Sequence, residues 1–414
     1  MKIALANNYY YVLGGSERVL FGDQEALEAA GHEVRPFAPK DERNNVASSA
    51  AFFPQVTDYL AARGAGQLKA AIDLVYSPAV GHAFGRFLDD FHPDVVHCHS
   101  IYGRLTTAIL DEAKRRRIPV VVTVHDLKLV CPAYLGLRQE KPCLLCQDGG
   151  YWRCLRWKCH KQSRAASLVY TVESYFNRFA GKYDSVSRFL CPSRFMQNAL
   201  INSGIAEERT TYHPNALPLQ QYHPRFEPGE YVLYAGRLSA EKGIWTMLAA
   251  FEKAGIPLRI AGTGPLEAEI RSYVHDRDLC VAVDGYCTGE RLAELYRNSA
   301  FTVVPSEWYE NASMSALESF AYGKPVLASN IGGNPELVAD GETGRLFAFG
   351  DADALADAAS GMWANRDETS QMGERARHLV EMRFSQERRL SALLAIYADV
   401  GGCVPSERTV RPAS

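Results

Sequence analysis

The chain has 414 residues, 47% of them hydrophobic and 22% charged, with a formal net charge of −3. That composition excludes a disordered or low-complexity polypeptide, and the length exceeds what one hydrophobic core usually supports, so two domains are expected. No apolar run reaches the roughly 18 residues of a membrane-spanning helix, and the start turns polar too soon for a signal peptide, which predicts a cytoplasmic protein.

Charge is divided unevenly, with 26 basic against 21 acidic residues up to Asn215 and 19 against 27 beyond it. The basic first half suits an anionic partner, although solvated surface charge produces the same imbalance. Ten cysteines without an export signal argue against a disulfide framework and for buried thiols or a metal cluster.

Lys2–Ala6 reads as an apolar strand. The loop holding Gly14 and Gly15 leads into a helix with Val19, Leu20, Leu27 and Ala30 at helical spacing, and Gly31 stops it before a strand at Glu33–Ala38. The glycine pair lets backbone approach a ligand, though Gly-Gly before a helix is by itself a weak signal. Helical segments are expected near Val56–Leu74 and Ala79–Phe91, then a strand at Asp94–Cys98 and a helix at Thr106–Arg117. The β-branched run Pro119–Val124 has the character of a buried parallel strand. His125 and Asp126 stand at its carboxyl end, where open α/β sheets bind ligands.

A strand at Phe189–Pro192 and a helix from Ser193 to near Gly204 follow, and the Pro-punctuated stretch from Thr211 to Gly229 reads as a linker. Beyond it the alternation repeats, with strands at Tyr231–Ala235, Leu258–Ala261, Val281–Asp284, Phe301–Val304 and Pro325–Ser329. Helices at 243–254, 265–275, 289–298 and 313–322 separate or follow them, and helices at about 351–365, 370–383 and 385–399 close the chain. The fold class is therefore α/β with two Rossmann-like domains.

The densest chemistry lies in Pro305–Pro325. Glu310 falls in a loop and Glu318 eight positions later in a helix, so both can face one ligand, and the amides at the helix start favour an anion. A ligand carrying both phosphate and hydroxyls would fit. Ser315–Glu318 also spells a capping box, in which Glu318 only ties down the helix start. The Glu-x7-Glu spacing, followed by Ala-Tyr-Gly-Lys-Pro-Val and Gly332-Gly333-Asn-Pro-Glu336, closely resembles the donor-sugar motif of retaining nucleotide-sugar glycosyltransferases of the GT-B fold, family 4.

This resemblance implies two Rossmann-like domains facing across a cleft. Residues 1–215 would be the acceptor domain, with a Cys-rich insert at about 131–165, and 216–385 the nucleotide-sugar domain. A helix at 386–400 would pack back on the first domain, and 401–414 would be a loose tail. Gly236, Arg237, Lys242 and Gly243 resemble the family's diphosphate site, where arginine forks onto phosphate and lysine adds a point charge. His125 matches the histidine beside the donor sugar, and Gly14 and Gly15 match the glycine loop near the reacting centre. Glu310 would grip sugar hydroxyls, Glu318 would hold the ribose, and the amides near Asn311, Ser313 and Met314 would face the diphosphate. Gly264, in a strand-to-helix turn, is as consistent with packing as with donor contact. His97 and His99 read as structural.

The implied reaction transfers sugar from a nucleotide-sugar donor to a glycan or lipid-linked acceptor with retained anomeric configuration and no metal cofactor. It would serve cell-surface or exported glycan synthesis, in the cytoplasm or at the inner face of the membrane. No nucleic acid is expected as a partner. One departure, Glu310-Asn-Ala-Ser in place of the commoner Glu-Gly-Phe-Gly, leaves donor choice open. The rival readings are a nucleotide-sugar epimerase of the same fold and a non-catalytic, zinc-bearing basic binding module.

Cys143, Cys146, Cys154 and Cys159 lie within 17 residues, with Cys131 upstream and His160 adjacent. Such a set could surround a structural zinc, although the second pair is spaced more widely than a standard knuckle; free thiols and an iron–sulfur cluster are the alternatives. Tryptophans and basic residues around them suit an anionic membrane surface, nucleic acid or plain solvent.

Overall fold

The computed structural model describes residues 1–401 apart from positions 58, 60, 61 and 63. In the first half, the strands are β1 (Lys2–Ala6), β2 (Glu33–Phe37), β3 (Val95–Cys98), β4 (Val120–Thr123), β5 (Leu137–Arg138), β6 (Lys141–Pro142), β7 (Val186–Cys191) and β8 (Thr210–Tyr212). The helices are α1 (Gly15–Ala29), α2 (Ala65–Val75), α3 (Pro78–Phe91), α4 (Ala108–Arg115), α5 (Trp152–Arg156), α6 (Arg164–Phe179) and α7 (Arg194–Asn202).

The second half alternates β9 (Tyr231–Ala235), α8 (Ile244–Ala254), β10 (Leu258–Ala261), α9 (Glu267–Asp276), β11 (Val281–Gly285), α10 (Gly289–Arg297) and β12 (Ser299–Val304). It continues through α11 (Met314–Ala321), β13 (Val326–Ser329), α12 (Asn334–Leu337), β14 (Gly344–Phe347), α13 (Ala352–Ala364), α14 (Arg366–Arg383) and α15 (Gln386–Gly401).

Two six-stranded sheets result, ordered β2-β1-β3-β4-β7-β8 and β11-β10-β9-β12-β13-β14, while β5 and β6 pair as a small antiparallel hairpin. Every ladder in the two large sheets is parallel. Val120, Val121 and Val122 are at most 1% exposed, the burial on both faces that parallel strands with helical crossovers require. Because all strands of a sheet run one way, their carboxyl ends gather the connecting loops along one edge of each sheet.

On one face of the first sheet, Phe37 packs with Phe84, Phe87 and Phe91 of α3. On the other, Ile3, Leu5, Val95, Val121 and Leu190 pack against Leu27 of α1 and Leu393 and Tyr397 of α15. The last helix therefore leaves the second half and completes the core of the first. The chain passes between the halves at two adjacent points, where Leu217 N donates to Phe384 O at 3.0 Å and Gln386 N donates to Leu217 O at 3.1 Å.

Several elements differ from the sequence pattern. The helix expected from Val56 begins only at Ala65, after Gly64 at φ 59, and positions 58, 60, 61 and 63 of that expectation lie outside the described residues. Thr210–Tyr212, which runs into the start of the stretch read as a linker, pairs with β7 as an edge strand, as its β-branched composition allows. Helix α6 and strand β14 are additions. Gly401 ends α15, and the remainder of the expected tail lies outside the described residues.

Asp23 and Arg389 form a buried bidentate pair, with Nε to Oδ1 at 2.6 Å and Nη2 to Oδ2 at 2.7 Å. Burial pushes the Asp23 carboxyl up, but the guanidinium outweighs it and holds it below the ordinary 3.8. The pair thus stabilises the fold above that pH and ceases to do so as pH falls through the lowered value. We expect Asp23→Ala to reduce unfolding free energy by about 3–5 kcal/mol at pH 7, since it strands a buried cation. In urea melts the gap between wild type and variant should begin to close as pH falls below 3.8, and close further as it passes through the lowered Asp23 value.

Candidate active site

Strand β12 is buried throughout and ends at Val304, and from Pro305 a loop swings to Ser313, the N-cap of α11. Ser313 Oγ accepts from Ala316 N at 3.3 Å. In that loop the buried Glu310 places one oxygen, Oε1, under three donors: Lys242 Nζ at 2.6 Å, Ser306 Oγ at 2.6 Å and Trp308 Nε1 at 2.9 Å. Burial raises its carboxyl pKa, but Lys242, Ser306 and Trp308 more than compensate, so the group is held below its usual value and ionised. Among the described residues Oε2 has no partner, so one face of the carboxylate stays available for hydroxyl groups.

Lys242 reaches this position because the turn after β9 comes very close to the β12 loop. Gly243 adopts φ 68, and a Cβ there would stand 1.9 Å from Pro305 O, so only glycine permits the approach. The Lys242 ammonium also lies 4.7 Å from the centre of the Trp308 ring. Arg237, earlier in the same turn, is exposed; Tyr234 Oη donates to its carbonyl at 2.7 Å. A Cβ at Gly264 would stand 2.3 Å from Leu238 O, which gives this glycine a packing role against the Arg237 turn.

Glu318 lies inside α11 and does not cap it. Its Oε1 pairs with Arg18 Nη1 of α1 at 2.5 Å, and its Oε2 accepts from Tyr296 Oη at 3.1 Å. The capping-box alternative therefore fails, because Ser313 already serves as the cap and the carboxylate turns toward the other half. Burial raises the Glu318 pKa and Arg18 and Tyr296 offset this only in part.

Facing this loop, His125 is half-buried at the end of β4, with Nε2 2.8 Å from His99 Nδ1. Burial first, and the charge of Arg389 next, push its pKa down to about 3, so the imidazole is uncharged at neutral pH. Asn311 bridges the halves: Nδ2 donates to Val124 O at 2.8 Å and to His125 O at 3.1 Å, and Oδ1 accepts from Ser193 Oγ at 2.7 Å. The Glu336 carboxylate accepts from the first-turn amides of α7, Arg194 N at 2.6 Å and Phe195 N at 2.5 Å. Gly14 precedes α1 in extended conformation and its N–H donates to Glu17 Oε2 at 2.9 Å. A Cβ on Gly15 would come within 3.3 Å of Met314 Cγ, so this glycine lies against the start of α11.

The structure thus brings Lys242 onto Glu310, His125 onto Asn311, and Gly15 onto Met314. Arg18, Tyr296 and Glu336 complete these contacts, and sequence reasoning assigned none of them a role. Glu336 was visible as part of a motif, whereas Arg18 on an amphipathic helix carried no signal. His99, read as structural, touches His125.

The zinc set expected of Cys143, Cys146, Cys154 and Cys159 is not assembled. Among the described residues no group of three or more His, Cys, Asp or Glu is placed to hold a metal ion. Cys154 is 1% exposed and turned into the first-half core beside Cys131, with Cys159 packed against the same cluster, while Cys143 is only half-buried at the β6 edge. Burial raises the Cys131 thiol to about 11 and Cys146 to about 12, whereas a hydrogen bond from the Cys159 thiol lowers Cys154.

A family model for glycosyl transferases group 1 matches residues 219–379, and one for a glycosyl transferase 4-like domain matches residues 14–216. The chain belongs to this glycosyltransferase family. It is 27% identical over 382 residues to glycogen synthase of Mycobacterium tuberculosis, covering 86% of this chain and 85% of that protein. It is 28% identical over 170 residues to O-antigen chain mannosyltransferase C of Escherichia coli, covering 40% of this chain and 46% of that protein. The chain thus spans about half the length of some curated relatives. Sucrose-phosphate synthase from Thermosynechococcus elongatus superposes with TM-score 0.71 at 21% identity, covering 97% of this chain and 99% of that one. Anabaena HepE, solved with UDP and glucose, superposes with TM-score 0.66 at 17% identity, covering 96% and 100%. These likenesses fix the fold as GT-B.

Glu336 supplies an anion to a helix N-terminus across the cleft, a contact worth about 0.3–2 kcal/mol. Glu336→Ala should loosen the closed arrangement, increasing the radius of gyration in small-angle scattering while the circular dichroism stays unchanged; an unchanged radius would mean the contact does not hold the halves together.

Proposed function

We propose that the chain is a retaining glycosyltransferase that moves a sugar from a nucleotide-diphosphate sugar to an acceptor hydroxyl. The observation that carries this reading is Glu310. Three donors converge on Oε1 and leave Oε2 open, beside the amides that begin α11 and opposite His125. A carboxylate fixed and ionised in this way can accept hydrogen bonds from sugar hydroxyls, and the turn carrying Arg237 and Lys242 can take the diphosphate.

In the reaction the bond between the anomeric carbon and the diphosphate oxygen breaks, and a bond to the acceptor oxygen forms on the same face. The acceptor proton passes to the departing phosphate oxygen. Charge growing on the diphosphate would be met by Arg237, Lys242 and the amides at Asn311, Ser313 and Met314. Glu318, with Arg18 and Tyr296 on its two oxygens, would hold the ribose once the donor displaces or joins those contacts. His125, uncharged, would act through a hydrogen bond and not as an acid. Gly14 and Gly15 would bring the start of α1 against the sugar, and Gly264 would support the Arg237 turn.

The acceptor would be a glycan or a lipid-linked glycan, in cell-surface or exported polysaccharide synthesis. Support for a membrane-surface encounter comes from Trp152, 53% exposed, and Trp157, 37% exposed, among the exposed Arg156, Lys158 and Lys161. No helix among the described residues is long and apolar enough to cross a membrane.

The first test is a thermal-shift screen against UDP-, GDP-, ADP- and TDP-sugars, with free nucleotides as controls. One donor should raise the melting temperature of the wild type and fail to do so in Arg237→Ala. No shift with any donor would sink the assignment. With the donor known, Glu310→Gln should lower kcat/KM by roughly 100–1,000-fold, and an α-configured donor should yield an α-linked product by NMR; a β-linked product would exclude retention.

A further inference from the structure

His125 does not stand alone. Its Nε2 is 2.8 Å from Nδ1 of His99, which is fully buried, and its Nδ1 has no partner among the described residues. Behind His99, with ring centres 4.5 Å apart, lies His97, itself pinned from both nitrogens: Nδ1 is 2.7 Å from Tyr397 Oη of α15, and Nε2 is 2.8 Å from Thr123 Oγ1 of β4. The ring of His99 is thus confined by packing, and the only hydrogen bond its side chain makes among the described residues is to His125.

All three rings are buried enough to be uncharged, so the contact between His99 and His125 contains one proton. If His125 were the donor, the remaining hydrogen of His99 would sit on Nε2, a buried atom without an acceptor. If His99 is the donor, its buried Nε2 is a bare lone pair. The standing charge near His99 is the Arg389 guanidinium, because the neighbouring His97, His125 and His213 are themselves uncharged. An N–H at the buried Nε2 would have nothing to accept it, and buried orphan N–H groups are rare, so the bare lone pair is the favoured state of that atom.

We propose that His99 is a positioning residue whose Nδ1–H donates to His125 Nε2, fixing His125 in the tautomer that carries its proton on Nδ1, the nitrogen left open to the donor sugar. This rests on the reading of His125 as the sugar-facing group. It makes His125 a hydrogen-bond donor to a sugar oxygen, supplied in the correct tautomer before the substrate arrives.

The test uses full-length protein labelled with 15N-histidine and long-range 1H–15N correlation, with the His125 signals assigned from a His125→Gln sample. Wild type should show His125 protonated at Nδ1. In His99→Phe, which keeps a ring but no donor, His125 should relax toward the Nε2–H form. Transfer kcat should drop roughly 10- to 100-fold, as for a reacting group slightly misplaced, with the Kd of the free nucleotide unchanged. His99→Asn, whose amide N–H replaces Nδ1–H, should restore both tautomer and kcat. An Nε2–H tautomer in the wild type overturns the proposal, as does a His99→Phe protein with unaltered tautomer and kcat. Should His99→Phe fail to fold, the wild-type spectrum alone decides. Unchanged transfer by His125→Gln would instead remove the sugar-facing reading and leave the tautomer assignment to the spectrum.

Discussion

The arrangement of this molecule depends on the return of α15 to the first sheet. Leu393 and Tyr397 fill an apolar face that β1, β3, β4 and β7 would otherwise expose, and Arg389 meets Asp23 in the same buried layer. A buried ion pair of this kind tolerates little displacement, because separating the charges leaves both without solvent. With the second half thus joined at its end to the first, and the outgoing and returning chain hydrogen-bonded at Leu217, the two sheets are held as neighbours before any cleft contact forms.

The cleft contacts then set the state of the two carboxylates. Two carboxylates eight residues apart experience opposite environments: Glu310 is held ionised by a lysine, a serine and an indole of its own half, whereas the Glu318 pKa stays raised despite an arginine that comes from the other half. The first is organised without any domain movement. The second is complete only when the halves approach. Asn311 adds a further dependence, since its side-chain amide holds the carbonyls of Val124 and His125, linking the position of the loop between β12 and α11 to that of the histidine.

Most of the fold was legible in the sequence because buried parallel strands announce themselves as β-branched runs, as at Val120–Thr123 and Tyr231–Ala235. The short edge strands β8 and β14 were not, since three or four residues carry too little pattern to stand out from a turn-rich stretch. Within the candidate site, Glu310 stood out by its spacing from Glu318 and Lys242 only as part of the Gly236–Gly243 string, and the contact between them follows from the two loops lying at adjacent strand ends. Arg18 and Glu318 are 300 positions apart, and nothing local marks either as the other's partner. The cysteines misled for a related reason: their spacing suits a metal, but Cys154 turns into the first-half core while Cys143 stays half-buried at the edge of the insert.

The crossing of α15 also bears on how such an enzyme can diverge. A second half exchanged for that of a relative, cut only at the first crossing near Leu217, would bring to the first sheet a foreign terminal helix not matched to His97 and Asp23 as Tyr397 and Arg389 are. The inherited unit is therefore discontinuous: residues 386–401 belong with the first half. Gene fusions and recombinations that respect chain order will break it unless they make two cuts instead of one.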